Sequence, residues 1–337
     1  MGGREAQMKA LVTGGGGFLG SAIVRQLLAR GDQAVSFSRG EYPELAALGV
    51  EQRRGDLSDL EAVAEAARGC DVVFHVAGKA GIWGKFEEYY LANVTGTENV
   101  IEACRRLGIE RLVHTSSPSV VFDGSDVEGG NESLPYPAHF EAHYPHTKAL
   151  AEQAVLAANT PTLATVSLRP HLIWGPGDNH LVPRIVAKAR SGALKRIGNH
   201  PCLVDTVYVD NAAEAHLNAA DRLQPGSAPA GKAYFISNGE PIPLWEMVNR
   251  ILAAAGVPPV TRQVSPGLAY GAGVICETLW RVLRLSGEPP MTRFVAKELA
   301  TAHWFDLSAA RTDLGYHPRI SIDEGLELLQ ASLRQGR

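Results

Sequence analysis

Cysteine is scarce in this chain. There are four among 337 residues, at Cys70, Cys104, Cys202 and Cys276, and no two form a C-x-x-C pair. That argues against a zinc knuckle or a disulfide framework, and it fits a reducing, cytoplasmic home. An excess of charge of one sign is also lacking. Lys and Arg number 32 against 36 Asp and Glu, a formal net charge of −4, so no basic field exists to attract nucleic acid. No uncharged apolar run reaches the roughly 18 residues of a spanning helix. The nearest candidate, Gly267 to Leu285, is interrupted by Glu277, Arg281 and Arg284. The N-terminus carries Arg4 and Glu5 and no apolar core of a secretory signal. Residues 1–7 are therefore expected to be a short flexible extension ahead of Met8. Repeats and low-complexity segments are absent. A metal is not expected: His139, His143 and His146 lie close in sequence, but there is no His-Glu-x-x-His and no placed acid.

What is present is ordinary globular composition, 45% hydrophobic and 20% charged, with length for a large core. Short apolar runs alternate with helical spacings from the start. Strands are expected at 9–13, 33–38, 50–54, 71–75, 111–115 and 163–168. Helices are expected at 18–30, 60–67, 86–107 and 148–158. Continuous apolar strands separated by helices predict a parallel sheet covered on both faces. Right-handed crossovers then give an α/β, doubly wound fold of the Rossmann type. After residue 175 the rhythm loosens, with Pro and Gly clusters at 175–177, 225–231 and 258–259. This predicts a dinucleotide-binding domain over 8–175, to which 203–224 returns with a strand at 203–209. A smaller C-terminal substrate lobe would comprise 176–202 and 225–337.

The first strand runs into Thr13-Gly14-Gly15-Gly16-Gly17-Phe18-Leu19-Gly20, and a helix pattern follows at once. Glycine permits a tight turn and close approach to a pyrophosphate, and the helix N-terminus offers free N–H groups and positive dipole. Gly14, Gly17, Phe18, Leu19 and Gly20 are the candidate phosphate-binding residues. The second strand ends in Ser38-Arg39, with Glu41 a little beyond. A carboxylate at the tip would suit a ribose 2′-OH, whereas a guanidinium suits a 2′-phosphate. Arg39 therefore favours NADP(H) over NAD(H); otherwise it is a solvated surface arginine. Asp56 and Leu57 follow the third strand and are placed for the adenine; alternatively Asp56 caps the helix starting near Asp59. Ala77-Gly78 ends the fourth strand with side chains small enough for a cofactor to pass.

Tyr144 and Lys148 are four residues apart, hence on one face of a helix. A free phenol has a pKa of about 10 and is a poor acid or base at neutral pH. A neighbouring ammonium is expected to lower it, letting Tyr144 exchange a proton with a carbinol oxygen as hydride moves to or from nicotinamide. Lys148 is also placed to bond the cofactor ribose. Ser117, with Ser116 as competitor, ends the fifth strand and is a candidate to hold the substrate oxygen; either serine alternatively serves the turn. Asn93 could hold a water linking Lys148 to solvent, or be a helix-face amide.

With these residues in view, the chain resembles an extended short-chain dehydrogenase/reductase across nearly its whole length. The resemblance rests on Thr13 to Gly20, Gly55-Asp56-Leu57, Asn93 to Thr97, Thr115-Ser116-Ser117, Tyr144 with Lys148, Leu168-Arg169-Pro170, Gly175 to Asp178, and Val207 to Asn211. Tyr144 to Glu152 and His303 to Asp306 resemble the 3β-hydroxysteroid dehydrogenase branch. This implies catalytic roles for Ser117, Tyr144 and Lys148, support from Asn93, Pro170 at the nicotinamide end, and a homodimer pairing the helices that carry Asn93 and Tyr144. Two groups in the branch are especially similar, one reducing 2-alkyl-3-oxo acids and one oxidising sterol 4-carboxylates. Both substrates are apolar 3-oxo or 3-hydroxy acids, lipid-like small molecules. Arg39 and a stronger C-terminal likeness, at Phe235 to Pro241 and Cys276 to Trp280, tilt the reading to the reductase with NADPH.

An apolar substrate needs an apolar cleft; Leu172, Ile173, Trp174, Leu181 and Val182 are candidates, or ordinary core. Arg184 or Lys188 could meet a carboxylate. The segment 267–285 reads as a lid, a partner-enzyme contact, a peripheral membrane helix or packed lobe. Two other classes compete. A sugar-nucleotide epimerase or dehydratase would need a polar second lobe, and a non-catalytic cofactor sensor would have no need of Tyr144 and Lys148 together.

Overall fold

The computed structural model describes residues 7–335; the expected extension, apart from Gln7, lies outside them. Seven parallel strands form the main sheet: β1 (Lys9–Thr13), β2 (Gln33–Ser38), β3 (Glu51–Arg54), β4 (Val72–His75), β5 (Arg111–Thr115), β6 (Ala164–Pro170) and β7 (Lys232–Ile236). Their order is β7-β6-β5-β4-β1-β2-β3. The order reverses at β1 and β4, the crevice where ligands of open α/β sheets bind.

Side-chain alternation explains why both faces are covered. Ala10 and Val12 of β1 enter one apolar cluster with Val72, Phe74 and Val113. Leu11 enters the other with Val35, Phe37, Val73 and Leu112. A strand buried on both sides reads as an unbroken apolar run. The flanking helices include α1 (Phe18–Ala29), α2 (Leu60–Ala67), α3 (Gly96–Leu107), α4 (His143–Ala157) and α5 (Val209–Arg222). Asp59 caps α2 by accepting from Glu61 N and Ala62 N. Gly108 ends α3 at φ 67, a left-handed position where glycine carries no Cβ penalty.

One expectation is corrected and a second is refined. The segment 203–209 does not return a strand to the main sheet. Leu203–Val204 pairs within a four-stranded sheet, and Val207–Tyr208 pairs with Ile173–Trp174. Asp205 breaks the run: its buried carboxylate accepts from the His171 ring and from Phe305 N, so the chain turns there. The main sheet is completed instead by β7, paired with β6 from Lys232↔Val166 to Ile236↔Pro170. The expected helix 86–107 is continuous but irregular, since a π turn, Leu91–Thr95, joins Phe86–Tyr90 to α3.

Beyond the main sheet, α6 (Pro266–Val282) and α7 (Arg293–Glu298) pack together. Glu277 ties them, accepting from Arg293 N at 2.7 Å and Arg293 Nε at 2.8 Å. No described helix is long and apolar enough to cross a membrane.

Candidate active site

The loop after β1 is shaped for close approach. Gly14 sits at φ +70, and a Cβ there would lie 3.0 Å from Ala77 Cα; one on Gly20 would collide with the Gly14 carbonyl. Gly17 N donates to Gly14 O at 2.8 Å, closing the turn. No side chain caps α1, so its first N–H groups, around Phe18, Leu19 and Gly20, remain available to an anion. Two further atoms fit a bound ligand. Ser38 Oγ and Ser116 Oγ, at the C-terminal ends of β2 and β5, are buried without a hydrogen-bond partner, an arrangement that in a native protein calls for an occupant. The residues present therefore fit a dinucleotide.

Arg39 is exposed beyond Ser38. Glu41 is drawn away to Arg54 at 3.6 Å. Asp56 does not cap α2, which Asp59 does. It accepts from Ser58 N and Ser58 Oγ at 2.9 and 2.8 Å, and those bonds, with the Arg39 charge, hold its carboxyl below the usual range. Leu57 packs on Gly96 of α3. Thr13 Oγ1 accepts from Val76 N and Ala77 N, both at 3.2 Å, and so ties the β1 turn to Ala77-Gly78. Pro170 is buried at the end of β6, in register with Ile236.

Tyr144 and Lys148 lie in the first turns of α4, which begins at His143, earlier than the expected 148. The Ser117 hydroxyl interacts with the phenol and lowers its pKa, but burial outweighs it and the phenol ends above its usual value. The sequence predicted a lowered phenol through Lys148. The difference has a geometric cause. Lys148 Nζ is drawn inward, donating to Thr115 O at 2.6 Å and meeting His114 Nε2 at 3.1 Å. Burial lowers the ammonium itself to about 8, against a smaller opposing effect of Glu152.

Of the two serines, Ser117 faces the phenol and Ser116 is orphaned. Ser119, which the sequence reading missed, sits with its Oγ 2.9 Å from Ser117 Oγ. Asn93 is corrected. Its side chain is committed to the loop after β4, accepting from Lys79 N at 2.7 Å and donating to Lys79 O at 3.1 Å and Thr147 Oγ1 at 3.0 Å. Its carbonyl accepts from Thr97 Oγ1 at 2.6 Å. It anchors that loop to α4, and its hydrogen bonds do not include Lys148.

The other candidates divide. Trp174 and Val182 are core, with Trp174 Nε1 donating to Thr206 Oγ1 at 2.9 Å. Leu172, Ile173 and Leu181 are half-buried. Arg184 pairs with Glu288 and Lys188 donates to Pro290 O at 3.3 Å, so both are tied to the chain after α6. Among the described residues, His143 and His146 belong to no group of three or more His, Cys, Asp or Glu that could hold a metal ion. They pack around Phe86, with ring centroids 5.5 Å away in each case, and His146 stacks on Phe140.

Residues 11–264 match the 3-beta hydroxysteroid dehydrogenase/isomerase family. A Stenotrophomonas maltophilia protein named 2-alkyl-3-oxoalkanoate reductase is 57% identical over 96% of this chain and 99% of its own. A Mus musculus protein named sterol-4-alpha-carboxylate 3-dehydrogenase, decarboxylating, is 36% identical over 95% of this chain and 89% of its own. Among solved structures, the crystal structure of gox2253 superposes with a TM-score of 0.78 at 28% identity, covering 98% of this chain and 99% of that one. The NAD complex of the Thermus thermophilus UDP-glucose 4-epimerase gives 0.74 at 26%, covering 98% and 100%. A nicotinamide dinucleotide cofactor and oxidoreductase chemistry at a hydroxy or oxo group follow. By the loop, the sheet, the tyrosine–lysine helix and these likenesses together, the chain belongs to the 3-beta hydroxysteroid dehydrogenase/isomerase family.

Proposed function

We propose that the chain reduces the 3-oxo group of a large, apolar, C2-substituted 3-oxo acid, a 2-alkyl-3-oxoalkanoate reductase reaction, with NADPH as reductant. One observation carries the reading: Tyr144 beside Ser117, with Lys148 one helical turn on and buried against Thr115 and His114. The names of the relatives at 57% and 53% identity support it.

The bound nicotinamide supplies the hydride. Ser117 donates to the substrate oxygen and holds it against Tyr144. Tyr144 delivers the proton that the developing alkoxide requires. Because burial raises the phenol, Tyr144 enters the reaction protonated at neutral pH, the form reduction needs. Lys148 holds the ribose. Gly14, Gly17, Phe18, Leu19 and Gly20 take the pyrophosphate, Ser38 and Arg39 the adenosine ribose, Asp56 and Leu57 the adenine, and Ala77, Gly78 and Pro170 line the passage to the reacting centre. Asn93 keeps the 76–79 loop in place. Arg39 free of Glu41 supports NADP(H).

Two assembly features belong to the same reading. The exposed apolar face of α6, with Arg281 and Arg284 at its end, supports peripheral contact with an anionic lipid surface. Exposed Tyr90 and Leu91 on the helix leading to α3 support a homodimer.

The test is NADPH and NADH consumption with a long-chain 2-alkyl-3-oxo acid. Expected is NADPH oxidation that disappears in Tyr144→Phe. In Arg39→Ala, NADPH affinity should drop roughly ten- to a hundredfold, the worth of charge-assisted bonds to phosphate, with NADH affinity little changed. No consumption with either cofactor overturns the substrate. The 36%-identical relative then directs the next assay to NAD+ reduction with a 3β-hydroxysterol 4-carboxylate.

A further inference from the structure

Lys148 has three N–H donors, and the fold commits two of them inward. Thr115 O takes one at 2.6 Å. The second meets His114 Nε2 at 3.1 Å. On its other side, His114 Nδ1 lies 2.8 Å from Ser167 Oγ, and the ring stacks on His75 with centroids 5.6 Å apart. His75 is itself fixed between Thr13 Oγ1 and Thr97 Oγ1 at 2.8 and 2.9 Å. An ammonium only donates, so its partner ring nitrogen on His114 must accept. His114 therefore carries its hydrogen on Nδ1 and gives it to Ser167. Burial holds both His75 and His114 below ordinary histidine pKa values, which favours the neutral ring that this geometry requires.

We propose that His114 is the positioning residue of Lys148: it takes one ammonium hydrogen, Thr115 O takes a second, and the third alone is left for the cofactor ribose. The inference rests on the functional reading above. His114 touches neither substrate nor reacting atoms. It acts by fixing the direction and the charge of the lysine. The groups that set that charge are few. Tyr144 and Glu152 share its helix, and Glu152 is matched by Arg169 of β6, which donates Nη2 at 2.6 Å. His75 faces it from β4, His114 from β5, and His216 from α5 lies behind His114, bonded to Thr115 Oγ1 at 2.9 Å.

The experiment is a fluorescence titration of NADPH binding from pH 6 to 10, without substrate. The pH at which affinity falls reports loss of the Lys148 ammonium. In His114→Phe the ammonium loses an acceptor and gains an apolar neighbour, so the midpoint should move down by about one unit. His114→Gln keeps an acceptor and should restore it. Ser167→Ala frees the tautomer and should give a smaller downward shift, and it decides the matter if the phenylalanine variant does not fold. A midpoint unchanged in His114→Phe, with binding weaker at all pH values, overturns the proposal, since a purely structural role would do that. Long-range 1H–15N correlation of the His114 ring needs neither cofactor nor turnover. It should show hydrogen on Nδ1; hydrogen on Nε2 overturns the proposal even if the substrate assignment stands, and hydrogen on Nδ1 supports it even if that assignment fails.

Discussion

Lys148 is a charge that its own protein holds at a disadvantage. Its pKa falls from 10.5 to about 8 because burial disfavours the ammonium more than Glu152 favours it. Between those two values the unfolded chain binds the proton more tightly than the folded one, so this group makes stability rise with pH from about 8 to about 10.5. Below pH 8 its destabilising effect is complete. Lys148→Met should therefore be more stable than the natural protein at pH 7, without activity, and should lose that part of the rise; urea midpoints at pH 7 and pH 10 measure both. An equal or larger rise in the variant would contradict this. Much of the site was legible at this scale, because Tyr144, Lys148 and the glycines stand at spacings that only a helix and a turn explain. His114 and Ser119 were not. Nothing in a strand such as Arg111-Leu112-Val113-His114-Thr115 says that one residue faces a lysine on a helix 34 positions later. The lowered phenol was mistaken for the same reason, since spacing puts Lys148 on the right face but does not say where its ammonium turns.

Among the elements, α6 is the one whose surface has no ordinary explanation. Leu268, Ile275, Leu279 and Val282 are 64%, 62%, 46% and 71% exposed, and their spacing places them on one stripe of the helix. Glu277 looks the other way, into α7. Burying a leucine or isoleucine side chain is worth about 1.5–3 kcal/mol, so a triple change, Leu268→Ser, Ile275→Ser and Leu279→Ser, should cut binding to anionic vesicles at least tenfold. Co-sedimentation reads this, with Tyr144-dependent turnover of a short, soluble substrate retained. Natural protein that ignores vesicles of any composition would refute the lipid contact. Strand recognition succeeded where runs were bounded by turns, most of them apolar, with the polar Glu51–Arg54 found as well. It failed at 203–209, where the buried Asp205 interrupts what looks like one strand. It also failed at β7, which begins with exposed Lys232 and pairs on one side only, as a sheet edge does.

At the scale of the whole molecule, the doubly wound sheet was readable from the alternation of strands and helices, whereas the pairing of short strands outside it was not. Those strands are two to four residues long, too brief to carry a period, and their partners lie far away in sequence. Subunit assembly is predicted through the helix leading to α3, where Tyr90 and Leu91 are 39% and 50% exposed. Sedimentation should find a dimer at micromolar concentration, and Leu91→Glu should shift it to monomer. An unchanged mass would place the interface elsewhere or remove it. The π turn in that same helix has a consequence for anyone who edits the gene. Leu91–Thr95 holds one residue more per turn than an α-helix, so shortening the chain there by a single codon would yield a more regular rod. It would also take Asn93 out of the wide turn that presents its side chain to the loop after β4. Asn93 would then swing off Lys79, and the loop it fastens beside the cofactor path would come loose. A deletion that looks like an improvement on paper would thus undo the fastening between that loop and the helix that carries Tyr144 and Lys148.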